Sequence, residues 1–228
     1  MGTKTCGPVA GVTRLQARFR GNKSRCVYVE RARQGLRTLA RPLDTSGAWS
    51  PFVPAKMAAV HAMLTVAGLQ PGETLVDVGS GDGRVVIEAA VQCPGLRKAV
   101  GVELDAALVG LSRRRVMERA RQQEDEVSPR PEQVMEQKET RTPLEQCVEI
   151  IHADFVAVDM RDADVVMLFF LPNDEIAHTL QQKLRPGTRV VTYVFQISQW
   201  EPEQVVSTVP FMTERGSSSI YLYRVPRV

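Results

Sequence analysis

The sequence has no long hydrophobic run, few aromatic residues and no grouping of metal-binding residues. Its longest apolar stretch, Val165 to Pro172, is too short to cross a bilayer and instead predicts a buried strand. The four cysteines include no Cys-x-x-Cys pair, and the three histidines lack the spacing of a zinc site. We therefore expect no transmembrane segment, no disulfide framework and no metal centre in this sequence.

Basic residues are abundant only at the N-terminal end. Residues 1–41 contain eight Arg and two Lys against one acid, Glu30, which gives a net charge of +9. Because the whole chain carries +3, residues 42–228 carry −6, and we expect no nucleic-acid partner for this acidic part. The leader has no apolar core, so its composition predicts a transit peptide and a mitochondrial location. The alternative is a disordered basic tail on a protein of another organelle or of the cytoplasm.

Strand and helix patterns alternate through residues 42–228, which we interpret as one domain. Strands are predicted at 74–78, 99–103, 148–152, 165–170 and 189–194, and helices at 56–67, 84–91, 106–119 and 174–184. Two last strands, 204–209 and 219–225, predict a terminal hairpin. Residues 121–146 are polar without apolar periodicity, and we predict a solvated insertion, helical at its start. The alternation predicts an α/β fold with a helix-covered, mostly parallel sheet.

A glycine-rich turn, Asp77-Val-Gly-Ser-Gly-Asp-Gly83, follows the first predicted strand and opens into a helix. Glycine lets the backbone approach a ligand closely, and a helix N-terminus offers free N–H groups. The next strand ends at Glu103, 20 residues beyond Gly83, where a carboxylate can accept hydrogen bonds from ribose hydroxyls. Arg84 stands where a dinucleotide fingerprint needs its last glycine, and no Gly-Lys-Ser/Thr occurs. The turn therefore indicates neither NAD binding nor a Walker loop.

This D-x-G-x-G-x-G turn resembles motif I of the class I S-adenosylmethionine-dependent methyltransferases. The resemblance implies a Rossmann-like domain, with a seven-stranded, mostly parallel sheet and a C-terminal antiparallel hairpin, and S-adenosyl-L-methionine as cofactor. It also implies that the methionine part of the cofactor lies on a loop formed by Asp77, Gly79, Ser80, Gly81 and Gly83. Glu103 would bind the ribose, and Asp154 matches the position whose carboxylate meets the adenine amino group. For Asp154, an ordinary turn residue at a strand end is the alternative.

Other segments narrow the resemblance to the mitochondrial protein-lysine methyltransferases of the ATP synthase c subunit and the adenine nucleotide translocase. They are Pro51-Phe-Val-Pro54, Ala99-Val-Gly-Val-Glu-Leu-Asp105, Phe169-Phe-Leu-Pro172 and Leu184-Arg-Pro-Gly-Thr-Arg-Val-Val191. This resemblance implies methyl transfer to a lysine side chain of a protein, with a mitochondrial membrane protein as one candidate. A class I methyltransferase acting on a small molecule or RNA is the alternative. A binding protein that keeps the fold without catalysis is a third hypothesis.

The candidate catalytic residues follow the fourth strand, where many class I enzymes place a proline-containing substrate loop. They are Phe170, Pro172 and Asn173. The side-chain carbonyl of Asn173 can orient an amine, although a helix N-cap is an equally good interpretation. Trp49, Phe52, Val53 and Pro54 are predicted either to close over the cofactor as a lid or to serve as apolar anchors.

Overall fold

The structure is a computed structural model that describes residues 52–127, 143–169 and 174–227. The strands are β1 (Thr74–Val78), β2 (Lys98–Glu103), β3 (Val148–His152), β4 (Val165–Leu168), β5 (Arg189–Tyr193), β6 (Gln204–Thr208) and β7 (Ser218–Arg224). The helices are α1 (Met57–Ala67), α2 (Arg84–Gln92), α3 (Ala106–Val127), α4 (Leu144–Cys147) and α5 (Asp174–Lys183), with a 3₁₀ helix at Phe155–Ala157. The predicted leader, residues 1–41, lies outside these ranges.

The strands form one seven-stranded sheet in the order β3-β2-β1-β4-β5-β7-β6. The first five strands in this order are parallel to one another. Strand β7 pairs antiparallel with both β5 and β6, so the last two strands form the hairpin at one edge. The predicted α/β fold, Rossmann-like with a C-terminal antiparallel hairpin, is confirmed.

Helices cover both faces of the sheet, which explains why β1 and β4 are buried along their whole length. On one face, α1, α2, α3 and α4 contribute apolar side chains to a core that also holds Leu75 of β1. On the other face, α5 and the 3₁₀ helix pack with Val76 and Val78. Neighbouring residues of β1 thus point to opposite cores, as the pleat of a strand requires.

Two helix ends show how local sequence sets the bounds. Helix α1 ends at Gly68, whose left-handed conformation (φ 58°) lets its N–H bond the carbonyl oxygens of Leu64 and Thr65. Helix α3 continues to Val127, past the predicted end at Arg119, because the polar residues that follow are still strong helix formers. It thus enters the predicted insertion at 121–146, whose residues 128–142 lie outside the described residues. Leu144 of α4, near the end of the predicted insertion at 121–146, is buried in the core.

Within the described part of the chain, no helix combines the length and the apolar character needed to span a membrane.

Candidate active site

The candidate site lies at the carboxyl ends of the parallel strands. The strand order reverses between β1 and β4, because successive strands are added outward from β1 on one side and from β4 on the other. In open α/β sheets, ligands bind in the crevice at such a switch point. The glycine-rich turn follows β1 directly and therefore lies at this crevice.

The turn needs its glycines for backbone conformation. Gly79, Gly81 and Gly83 all have positive φ, at 73°, 56° and 77°. The N–H groups of Gly79 and Ser80 donate to the carbonyl oxygen of Val102 at 2.9 and 3.0 Å, which ties the turn to β2.

Glu103, at the end of β2, meets the turn directly. Its Oε2 accepts a hydrogen bond of 2.7 Å from the N–H of Gly81. Its Oε1 accepts hydrogen bonds from the N–H groups of Leu104 and Asp105 at 2.8 and 2.9 Å. The structure thus brings the two parts of the predicted cofactor site together and fixes the carboxylate beside the turn.

Asp77, the last-but-one residue of β1, is buried under the same turn and is only 4% exposed. Burial, together with the negative charges of Glu103 and Asp82, raises the pKa of its carboxyl group to about 8. Asp77 is therefore protonated over most of the neutral range in the structure described here.

A charged network that the sequence did not predict lies beneath the turn. The buried Asp82 carboxylate accepts hydrogen bonds from Arg84, with Nε to Oδ1 at 2.8 Å, and pairs with Arg115 of α3. Burial opposes ionisation of Asp82, but the hydrogen bond and charge of Arg84 and the charge of Arg115 outweigh it, so its pKa is lowered. Arg115 comes from a distant segment, and no spacing in the sequence joins it to Asp82.

Residues 52–56, which we call the strap, lie against the glycine turn. The Phe52 ring sits where a Cβ atom on Gly81 would have to be, so only glycine fits under it. Arg84 Nη1 donates to the carbonyl oxygen of Ala55 at 2.5 Å, and thereby links the strap to the Asp82 network. Phe52, Val53 and Pro54 were predicted either as a lid or as apolar anchors, and the structure places Phe52 on the turn. Trp49 lies outside the described residues.

Asp154 lies beyond the end of β3, the edge strand next to β2. Its side chain accepts a hydrogen bond from the N–H of Val156 at 2.9 Å and so caps the 3₁₀ helix. This is the turn role named as its alternative, and the adenine contact stays a prediction. His152 of β3 pairs in register with Glu103.

Two further features of this end of the sheet suit a nucleoside ligand. Ser80 Oγ, in the turn itself, is a buried polar atom without a hydrogen-bond partner among the described residues. Leu104 and Val156, which follow the ends of β2 and β3, are 40% and 46% exposed despite being large and apolar. Apolar side chains beside a fixed carboxylate fit an aromatic base carrying a ribose.

The predicted catalytic residues Phe170, Pro172 and Asn173 lie outside the described residues, which end at Phe169 on this side and resume at Asp174. Among the described side chains, no group of His, Cys, Asp and Glu residues could hold a metal ion.

Comparisons with known proteins point in the same direction as this geometry. The family described as ANTKMT methyltransferase domain matches residues 117–204. A protein-lysine N-methyltransferase of Saccharolobus islandicus is 30% identical over 182 residues, which cover 76% of this chain and 92% of that protein. The mouse adenine nucleotide translocase lysine N-methyltransferase is 32% identical over 177 residues, which cover 77% of this chain and 63% of that protein.

A solved structure has the same fold. The RNA methyltransferase from Salinibacter ruber, in complex with S-adenosyl-L-homocysteine, superposes with a TM-score of 0.60. It is 28% identical in sequence, and the match covers 77% of this chain and 95% of that one. The likeness to the archaeal lysine methyltransferase extends over nearly the whole of that protein and includes the strands that carry the glycine turn and Glu103. This chain therefore belongs to the class I S-adenosylmethionine-dependent protein-lysine N-methyltransferases.

Proposed function

We propose that this enzyme methylates a lysine side chain of a mitochondrial membrane protein, with S-adenosyl-L-methionine as the methyl donor. The observation that carries the proposal is the hydrogen bond between the Gly81 N–H and the Glu103 carboxylate, which joins the two parts of the predicted cofactor site. The mouse relative is named for methylation of the adenine nucleotide translocase, a membrane protein, which supports this substrate class.

The cofactor would be held by residues that the structure gathers at one edge of the sheet. Gly79, Ser80, Gly81 and Gly83 would face its methionine part, Asp77 would lie beneath them, and Glu103 would accept hydrogen bonds from the ribose. Asp154 would reach the adenine amino group from the end of β3. When bound, the cofactor supplies a methyl group that the lysine nitrogen accepts as the carbon–sulfur bond breaks.

The protein's own part is to position the lysine and to favour its neutral form, whose proton has passed to solvent. A lysine side chain has an ordinary pKa of about 10.4 and must be neutral to attack. Enclosure under the strap would exclude water and disfavour the charged amine. Phe170, Pro172 and Asn173 remain the candidates for the acceptor side, and the Asn173 carbonyl would orient the neutral amine.

The direct test adds the full chain and methyl-labelled S-adenosyl-L-methionine to mitochondrial membranes from cells that lack the enzyme. We expect label in a discrete protein band, with the methyl group on lysine by mass spectrometry and no label with Glu103→Ala at low cofactor concentration. The Salinibacter neighbour is described as an RNA methyltransferase, so a parallel sample is treated with ribonuclease. Label that ribonuclease removes and protease leaves would replace the lysine proposal by an RNA substrate.

The location is tested separately from the chemistry. Residues 1–41, with their net charge of +9, are fused to a fluorescent reporter, and a matched fusion carries Glu in place of four of the Arg residues. Mitochondrial import of the first fusion and loss of import of the second are expected. A cytosolic distribution of both would contradict the mitochondrial proposal without touching the methyltransferase assignment.

A further inference from the structure

The loop that joins β6 and β7, residues 209–217, lies at the same edge of the sheet as the glycine turn. In the antiparallel register, Tyr193 at the end of β5 pairs with Ile220, and Thr208 pairs with Ser218. The strap is tied to this loop, because Lys56 Nζ donates to the carbonyl oxygen of Thr213 at 3.1 Å. The strap therefore runs from the glycine turn to the β6–β7 loop, past the carboxyl ends of β4 and β5.

Three aromatic residues, which we call the aromatic wall, meet at this end of the sheet: Phe169, Tyr193 and Phe211. The Phe169 ring centroid lies 4.9 Å from those of both Tyr193 and Phe211, tilted against the first and edge-to-face with the second. Tyr193 is fully buried, whereas Phe169 and Phe211 are half-buried. Phe169 is the first residue after β4, at the side of the switch point away from Glu103.

The aromatic wall is held in place from several directions. The Tyr193 hydroxyl donates to the carbonyl oxygen of Val209 at 3.0 Å, and the Phe211 N–H donates to Ser218 Oγ at 3.0 Å. Val194, the residue after Tyr193, has a φ of 70°, which is unusual for a β-branched residue, and its N–H donates to Ser219 at 2.8 Å. Backbone held in a disfavoured conformation is found preferentially at functional sites.

We propose that Phe169 and Phe211 form the wall against which the acceptor lysine lies, and that Phe211 sets how many methyl groups that lysine accepts. The proposal rests on the proposed function. The residues that would hold the nucleoside lie on the β2 side of β1, so the acceptor has to enter from the β4 and β5 side. A lysine side chain brings an apolar four-carbon stem, which suits aromatic rings, and a nitrogen whose methylated cation is attracted to their faces.

The ring of Phe211 would limit the number of methyl groups sterically, by restricting the room around the lysine nitrogen. Each added methyl group widens the end of the lysine side chain, so the distance to a fixed ring decides whether a second or third group can be accepted. Of the two half-buried rings, that of Phe211 sits on the loop that the strap and Ser218 hold in place. It is therefore the member of the wall whose size can change without altering the parallel strands.

The first test measures the ratio of mono-, di- and trimethyllysine formed in the labelled mitochondrial membranes at equal total methylation. Phe211→Ala should shift the ratio several-fold toward more methyl groups, and Phe211→Trp several-fold toward fewer, with cofactor affinity unchanged. At least one of the two shifts is observable, because the wild-type product cannot be both the least methylated and the most methylated form of lysine. Leu184→Ala, a buried change on the opposite face and before β5 begins, is the matched control and should keep the wild-type ratio.

An unchanged ratio in both Phe211 variants, with methylation of the same lysine retained, would overturn the proposal.

A second test needs no substrate protein and no turnover. Butyltrimethylammonium, which has the shape of a trimethylated lysine side chain, is added to the full chain with S-adenosyl-L-homocysteine, and aromatic ring resonances are followed by NMR. Shifts of Phe169 and Phe211 but not of Phe155, which is buried on the other face, are expected. Equal shifts of all three rings, or no shift of Phe169 and Phe211, would overturn the proposal that the aromatic wall binds the acceptor lysine. This outcome is informative even where a Phe211 variant fails to fold or no protein lysine is labelled.

Discussion

At the scale of single residues, the Glu103 carboxylate is fixed by the N–H groups of Gly81, Leu104 and Asp105. A carboxylate that is already oriented loses little freedom when it accepts further hydrogen bonds from a ribose. Glu103→Ala should therefore weaken cofactor binding by about 1.5–3 kcal/mol, the usual contribution of hydrogen bonds to a charged group. Calorimetric titration with S-adenosyl-L-homocysteine measures this. Glu118→Ala, an exposed change on α3, is the control, and equal affinity of all three proteins would remove Glu103 from the site.

The raised pKa of Asp77 predicts a dependence of stability on pH. In the unfolded chain an aspartate loses its proton near pH 3.9, whereas in the folded protein Asp77 keeps its proton to about pH 8. Between these values the folded state binds the additional proton, so this residue's contribution to the free energy of unfolding falls as pH rises from about 4 to about 8. The slope approaches about 1.4 kcal/mol per pH unit within that window.

Asp77→Asn removes this titration while keeping the shape of the side chain. We expect the variant to be more stable than the wild type at pH 8 and to depend less on pH between 5 and 8, as measured by urea unfolding. Asp162→Asn, at an exposed position, should follow the wild-type curve. Parallel curves for the wild type and Asp77→Asn would show that Asp77 ionises normally in the folded protein.

Single residues of the site could be predicted where a motif fixes their spacing. Gly79, Gly81 and Glu103 belong to one strand–turn–helix–strand unit, so sequence distance translates directly into position. The contacts of Asp82 with Arg115 and of Arg84 with Ala55 could not be predicted, because each joins segments that meet only after α1 and α3 have packed. The aromatic wall was missed for the same reason, since Phe169, Tyr193 and Phe211 come from three separate elements.

At the scale of elements, the glycine turn and the strap act as one unit, because Phe52 occupies the space above Gly81. Gly81→Ala combines a disfavoured φ of 56° with a clash against that ring. Gly187→Ala has a similar backbone problem, with φ 88°, but no atom within 4 Å of the added carbon. We expect Gly187→Ala to lower the free energy of unfolding by about 1 kcal/mol and to leave cofactor affinity unchanged.

For Gly81→Ala we expect a larger loss of stability and at least tenfold weaker cofactor binding, because the strap must move. Urea unfolding and calorimetry on both variants separate the two effects. If both variants behaved alike, the contact between Phe52 and the turn would contribute nothing to the site.

Element bounds could be predicted best where apolar periodicity and a turn residue coincide. Strands β1 and β3 have the predicted limits, and α1 begins one residue later than predicted because Lys56 is its N-cap. Apolar periodicity placed the end of α3 at Arg119, before its observed end at Val127, because the polar residues that follow favour helix without repeating the apolar pattern. Strand β4 ends at Leu168, two residues earlier than predicted, and Phe169 joins the aromatic wall instead.

At the scale of the whole molecule, the described residues from Phe52 onward belong to one compact unit, and Ala55 is the first of them that is buried in the core. A chain that starts at Ser46 should therefore match the full chain in free energy of unfolding and in cofactor affinity. A chain that starts at Met57 lacks Phe52 and Ala55 of the strap and should lose affinity at least tenfold. Urea unfolding and calorimetry on the three proteins measure this, and equal affinity of all three would deny the strap any part in binding.

The position of β7 between β5 and β6 has a consequence for how the chain reaches its fold. Within the described sheet, β6 pairs only with β7, although β6 precedes it in the chain. During synthesis, β6 thus stays without its hydrogen-bonding partner until β7 has emerged. The growing chain carries an open sheet edge at β5 for the same period, and such edges promote aggregation. A bound chaperone at this stage would protect the enzyme until β7 pairs with β5 and β6.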